Sequence, residues 1–348
     1  MPRRSSRSLR VARWLWTSHR MDARMARAAL VPAAGLWRLW QGASGLVHGT
    51  AAHPAIDPPV PVVGLGRVTA GRSGLGLVAS WVAAHLAELG RRPGVLLAAA
   101  QAADEELVAA RVPGALVTAG GALDATLARL AGSGAQVAVL TGTMGGFRVP
   151  LDATLGVLGA ETAIASRLPF PAGPWVASRR ALARADVLVL TRRRADAATA
   201  RHFADALHAE LGVPVACARL GVLRFRGLVS GHGHPPEALA GRRVVVASRG
   251  PELPAVVAHA KATGAAVQVH QWRDGPAFRD ADLAWLAHAS RRADLVVVTE
   301  RDALRLADRW PAAAREPLVA EQGLAWEAGE ADVQRAIAVA VLPPDALP

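Results

Sequence analysis

What most limits how this chain can fold is an alternation. Runs rich in Val, Leu and Ala lie at 60–65, 94–99, 136–140, 154–158, 186–190, 243–247, 265–269 and 294–299. Ala/Leu-rich amphipathic stretches lie among them at 77–90, 122–132, 198–211, 252–263 and 280–291. Short apolar runs without polar alternation read as strands buried on both faces, and the longer stretches carry a helical period. Parallel neighbours need a crossover, which a helix supplies, so the pattern predicts an α/β fold with a mostly parallel sheet flanked by helices.

Punctuation divides the chain. Gly221, Gly227, Gly231, Gly233, Pro235 and Pro236 make 216–242 read as a hinge. It separates a domain at 56–215 from a second, smaller α/β domain at 243–340. Upstream, Pro54, Pro58, Pro59 and Pro61 form a joint after an amphipathic helical region at 25–55 and a basic extension at 1–24.

The net charge of +12 comes almost wholly from arginine; Lys261 is the one lysine. Arginine in place of lysine reflects a GC-rich genome, so the overall basicity points to no nucleic acid partner. Its location says more. Residues 1–40 hold nine arginines, Asp22 as the one acid, and Trp14, Trp16, Trp37 and Trp40. No run there reaches the ~18–20 apolar residues that span a bilayer. Arginine interleaved with tryptophan on a helix suits an element lying on anionic lipid, with Trp37, Arg38 and Trp40 as candidate contacts. Cys217 is the single cysteine, which excludes an internal disulfide and fits a reducing compartment.

Residues 60–77, VPVVGLGRVTAGRSGLGL, run from strand through a glycine-rich turn into a helix. That order makes Thr69, Ala70, Gly71, Arg72, Ser73, Gly74, Leu75 and Gly76 the candidate nucleotide-binding residues. A working phosphate loop surrounds phosphate with backbone N–H groups and ends in Gly-Lys-Ser/Thr, supplying a cation and a Mg²⁺-binding hydroxyl. Here it ends in Gly74-Leu75-Gly76. The helix that follows still offers a positive end.

The same stretch resembles the tetraacyldisaccharide 4'-kinases of lipid A biosynthesis, whose loop reads GNxTxGGTGKTP. RRPGVLL at 91–97, SRLPFPAGPWVASRRALARADVLVLTR at 166–192 and VVVTERDALRL at 296–306 are similar to further blocks of that family, in order. ALVPAAGLWRLW at 29–40 resembles its N-terminal membrane-associated helix. The resemblance implies a P-loop-NTPase-like fold, ATP and Mg²⁺ as cofactors of an active member, and a lipid A disaccharide precursor or a lipid surface as partner. It also implies a cytoplasmic protein, peripheral on the inner face of the bacterial inner membrane.

Carried over residue by residue, the family's site is broken. AADEELVAARVPGALV at 102–117 is similar to the GDEP region, which assigns Asp104 and Glu105 to the acidic pair, Asp104 as base. The family's SDDGLQHYRL falls on LTGTMGGFRV at 140–149, so Thr141 and Gly142 stand for two aspartates, and Gly145 and Gly146 for Gln and His. Its DHHPF falls on Asp274–Phe278, where both histidines are lost, and its GFGNG turn has become ETAIAS at 161–166. Losing one preorganised electrostatic donor costs about 10²–10³ in rate, so these losses together imply a non-catalytic or impaired homologue. The alternative is an active kinase using Asp104 as base and Arg72 toward phosphate, although a planar guanidinium is no direct substitute for an ammonium. No metal site is assigned. His232 and His234 read as a polar turn, and Ser73 has no neighbouring histidine in sequence to activate it.

Overall fold

β1 (Val62–Arg67) shows why the chain folds as it does. Val62, Val63 and Leu65 are wholly buried, so both faces of the strand are covered. Each such side chain contributes about 1.5–3 kcal/mol on leaving water. The computed structural model describes residues 11, 14–18, 20–48, 57–71, 73–144, 149–250, 252–272 and 278–342. Two compact units divide the chain. One holds residues up to 219 and those from 326 onward, and the other holds 220–325.

In the first unit β1 pairs in parallel with both β4 (Val137–Thr143) and β5 (Ala153–Gly159). β2 (Pro93–Leu97) lies between β4 and the edge strand β3 (Leu116–Ala119). On the other side β5 pairs with β6 (Val187–Arg192), which pairs with the start of β7 (Val215–Gly227). The order is β7-β6-β5-β1-β4-β2-β3, all parallel. Helices Leu75–Glu88, Leu123–Gly132 and Ala197–Leu211 make crossovers. The last begins where Asp196 accepts from the Thr199 N–H at 2.9 Å and ends at Gly212 with φ 70°. At Gly66 a Cβ would come within 2.9 Å of the Met144 Cα, so only glycine admits the chain leaving β4.

The second unit has β9 (Arg243–Ser248) between β10 (Ala266–Gln271) and β11 (Leu295–Thr299), with β12 (Leu318–Ala328) beyond β11, all parallel. The far end of β7 pairs antiparallel with β8 (Gly233–His234). Val245, Leu283, Leu286, Val298 and Trp310 belong to one core cluster and Phe225, Val246, Val256 and Val297 to another.

Every strand and helix expected from the alternation is present, with ends shifted by a few residues. Beyond these the chain has, among other short elements, β3, β7, β12 and helices Glu105–Arg111, Glu300–Leu306 and Glu330–Val341. The hinge expected at 216–242 opens on most of a 13-residue strand, β7, because its apolar residues are buried at alternating points among arginines. The second domain expected at 243–340 differs from the observed unit at both ends. The Glu330–Val341 helix belongs to the first unit, where Glu327 receives both Arg192 Nε and Nη2 and Arg91 donates to the Val341 carbonyl at 3.1 Å.

Candidate functional site

The glycine loop leaves the C-terminal end of β1 and is held by its neighbours. Thr69 is buried, and its hydroxyl oxygen accepts from the Gly159 N–H at 3.2 Å. The Ala70 N–H donates to the Pro174 carbonyl at 2.7 Å, so that donor is turned away from any ligand. Ser73 is buried too; its N–H donates to Gly71, and its carbonyl accepts from the Thr191 hydroxyl at 2.7 Å. Gly74, with φ 72°, turns the chain into the Leu75–Glu88 helix, whose Leu77 and Val78 N–H groups donate back to the Gly74 carbonyl. Leu75 is only 4% exposed, and packs as a core residue where a phosphate loop has its cation. Arg72 lies outside the described residues.

Asp104 reaches this loop. It ends the short turn Ala99–Asp104 that follows β2 and precedes the Glu105–Arg111 helix, which it does not cap with its side chain. Its carboxylate turns to Gly76 instead. A Cβ built on Gly76 would lie 3.1 Å from Asp104 Oδ2. Glu105 starts the next helix, and among the described residues its carboxylate makes no hydrogen bond or ion pair. Thr141, on β4, accepts from the Ala98 N–H at 2.8 Å and donates toward the Leu96 carbonyl. A neutral hydroxyl bound to the end of β2 thus fills a position where the family pattern puts an aspartate. Gly142 sits beside Gly66 across the β1–β4 ladder. Gly145, Gly146 and Asp274 lie outside the described residues.

The charge pattern around the loop is partly internal. Glu161 Oε1 accepts from three successive N–H groups, those of Arg193 (2.6 Å), Arg194 (2.7 Å) and Ala195 (3.3 Å). Burial pushes its pKa up, but these donors outweigh it and hold the carboxyl below its ordinary value. In sequence the residue reads only as part of a dissolved glycine turn, and nothing there signals the nest that binds it. Among the described residues no three His, Cys, Asp or Glu side chains converge to hold a metal ion. Lys261 is exposed in the last turn of helix Leu253–Ala262 in the second unit.

The Met21–His48 helix has two faces. Ala23 and Ala34 are buried, and Trp37 sets its ring edge-on to Phe170 with centroids 5.3 Å apart. Trp16 closes on the same phenylalanine and donates from Nε1 to the Pro171 carbonyl at 3.1 Å. On the opposite side Met21, Met25, Leu36 and Leu39 are about 70% exposed (71, 68, 69 and 71%). Arg24 and Arg38 are also exposed. The side chain of Trp40 lies outside the described residues. No helix among the described residues is long and apolar enough to cross a membrane.

A parallel sheet flanked by helices, with a glycine loop joining its central strand β1 to a helix, defines a P-loop-NTPase-like α/β protein. LpxK from Aquifex aeolicus, solved in complex with ATP, shares the fold with a TM-score of 0.64 at 16% identity, covering 91% of this chain and 99% of that one. A family model described as tetraacyldisaccharide-1-P 4'-kinase matches residues 97–339. The tetraacyldisaccharide 4'-kinase of Methylobacterium radiotolerans is 31% identical over 79% of this chain and 86% of its own. That of Anaeromyxobacter sp. strain K is 31% identical over 84% and 85%. The chain belongs to the tetraacyldisaccharide 4'-kinase (LpxK) family.

Proposed function

We propose that this chain is a lipid A 4'-kinase homologue that keeps the family's body and its lipid-facing helix but has lost phosphotransfer. The observation that carries the reading is at the loop. A buried leucine and a bare glycine stand where a cation and a hydroxyl are needed, and a carboxylate oxygen lies against that glycine. Moving a phosphoryl group is chiefly positioning and neutralisation of negative charge. The described loop residues supply no positive side chain, and the positions of the cation and the metal-binding hydroxyl are held by Leu75 and Gly76. Those two positions do not fit a magnesium-bound triphosphate. One missing donor costs about 10²–10³ in rate, and even without additivity two leave little activity.

The Met21–His48 helix supports a peripheral location on the cytoplasmic face of the inner membrane. Its exposed stripe of Met21, Met25, Leu36 and Leu39 follows the helical period, so one side offers an apolar band to lipid while the other packs on Phe170. In this reading Arg38 and the stripe meet the surface, and Trp37 anchors the helix to the body. A lipid A disaccharide precursor, or the lipid surface itself, is the partner.

One observation favours the second reading, an active kinase with an altered site: Asp104 does lie at the loop, where a base would be required. The deciding experiment adds ATP, Mg²⁺ and a tetraacyldisaccharide 1-phosphate to purified protein and measures 4'-phosphorylation alongside calorimetric ATP binding. The proposal expects neither transfer nor Mg²⁺-dependent affinity, with liposome binding retained. Transfer that disappears in Asp104→Asn establishes the active enzyme instead.

A further inference from the structure

The second unit holds a cleft whose described lining flanks, in sequence, the Asp274–Phe278 stretch that aligns with the family's DHHPF. It has a volume of about 440 Å³ and is walled by His270, Trp272 and Trp285, with Arg249 and Asp282 also lining it and Arg279 at its rim. That volume lies in the range of small-ligand sites, roughly 300–1,000 Å³. Its position is where parallel α/β sheets place ligands, outside the carboxyl ends of adjacent strands, here β9 and β10.

The lining is mostly ring. His270 stacks on Trp285 with centroids 3.8 Å apart and planes 25° from parallel. Trp272 stands nearly perpendicular to both, at 4.4 Å from His270 and 5.5 Å from Trp285. The guanidinium of Arg249 lies 5.6 Å from the Trp272 ring and 4.7 Å from that of Phe278, and it is paired with Asp282. Asp282 also accepts from the Arg279 N–H at 2.9 Å. Burial pushes the Asp282 pKa up, but that N–H and the arginine charges outweigh it, so the carboxyl stays ionised. Two guanidiniums against one carboxylate leave one positive charge among the described lining groups. It lies at Arg279, whose side chain is 84% exposed and pairs with Asp282 only at 3.8 Å. Burial lowers the His270 pKa from its ordinary value, against the pull of Asp282, which favours the neutral ring.

We propose that this cleft binds a small, flat aromatic ring carrying one acidic group. Stacking on tryptophan and histidine supplies the ring contact, and Arg279 supplies the ion pair. Nucleoside monophosphates and aromatic carboxylates both have this chemistry. The described lining lies within the second unit.

Titration of the full chain with AMP, benzoate and inorganic phosphate tests it by calorimetry and ligand-observed NMR. At least one ring anion is expected to saturate with Kd at or below about 1 mM, with inorganic phosphate about tenfold weaker or worse. Arg279→Gln is expected to weaken the ring anion by about tenfold while leaving Tm unchanged, since its side chain is solvent-exposed. Preference for AMP assigns a nucleotide, and preference for benzoate assigns an aromatic acid. Absence of saturation by either, equal binding of phosphate, or wild-type affinity in Arg279→Gln overturns the proposal.

Discussion

Replacing Gly76 by alanine probes the placement of Asp104 without any need for catalysis. Alanine inside a helix is worth about 0.5–1 kcal/mol over glycine. Its Cβ would lie 3.1 Å from Asp104 Oδ2, but 3.6 Å from Cγ and 3.8 Å from Cβ, so only the oxygen is too close. Relief requires the carboxylate to turn by a few tenths of an ångström, and a side chain forced off its rotamer by ~30° costs about 0.5–1.5 kcal/mol. The two effects cancel, so Gly76→Ala alone is expected to be near neutral. In an Asp104→Ala background the strain is gone, and the same change stabilises by about 0.5–1 kcal/mol. Urea unfolding of the four proteins, with midpoints and slopes compared, gives the coupling energy directly. Any effect of Asp104 on the helix terminus is common to both backgrounds and drops out of the cycle. A Gly76→Ala gain that is the same with and without Asp104 would refute the geometry on which the functional reading rests.

Other expectations follow from buried groups and from the helix face. Asp302, wholly buried, accepts from the Ser248 and Thr299 hydroxyls and the Arg249 N–H, so Asp302→Ala strands three donors. It should destabilise the chain by about 2–4 kcal/mol in urea, with Asp302→Asn falling between. Glu161 has a lowered folded pKa, so its stabilisation is complete above its ordinary value of 4.5 and is lost as pH falls through the folded pKa. The Tm difference between wild type and Glu161→Gln should therefore be large at neutral pH and shrink in acid; a difference that grows in acid contradicts the nest. Leu36→Asp with Leu39→Asp removes two leucines worth about 1.5–3 kcal/mol each on burial, and should weaken binding to anionic vesicles by about a hundredfold or more. Trp37→Ala, by contrast, should lower Tm through loss of the Phe170 contact.

The main elements were legible because parallel strands buried on both faces leave an unbroken apolar run, as at 62–67 and 187–192. β7 and β12 were not, since each mixes charge and glycine with apolar residues. Arg224 and Arg226 both reach Glu321 from one strand to an acid on the other, a pairing no local pattern encodes. The glycine loop was legible in the order of strand, glycines and helix, whereas Asp104 was singled out only by resemblance, and its approach to Gly76 is seen only in the structure. The Glu161 nest and the ring-lined cleft arise from residues far apart in sequence, such as Arg249, His270 and Trp285, whose spacing carries no signal. Trp37 illustrates a further limit: tryptophan beside arginine suits lipid contact and protein packing equally, and its contact with Phe170 is not legible in the sequence.

Because residues 326–342 return to the first unit, the other unit is threaded through it as an insertion. A nascent chain leaving the ribosome must therefore expose all of 220–325 before the first unit receives its last helix. Until Glu327 emerges, Arg192 lacks its carboxylate, and the Ala216 backbone, which would sit 2.8 Å from a Cβ at Gly329, lacks that close neighbour. Truncation at the apparent end of the second unit would thus damage the first, while excision of 220–325 with a short replacement linker would spare its sequence entirely.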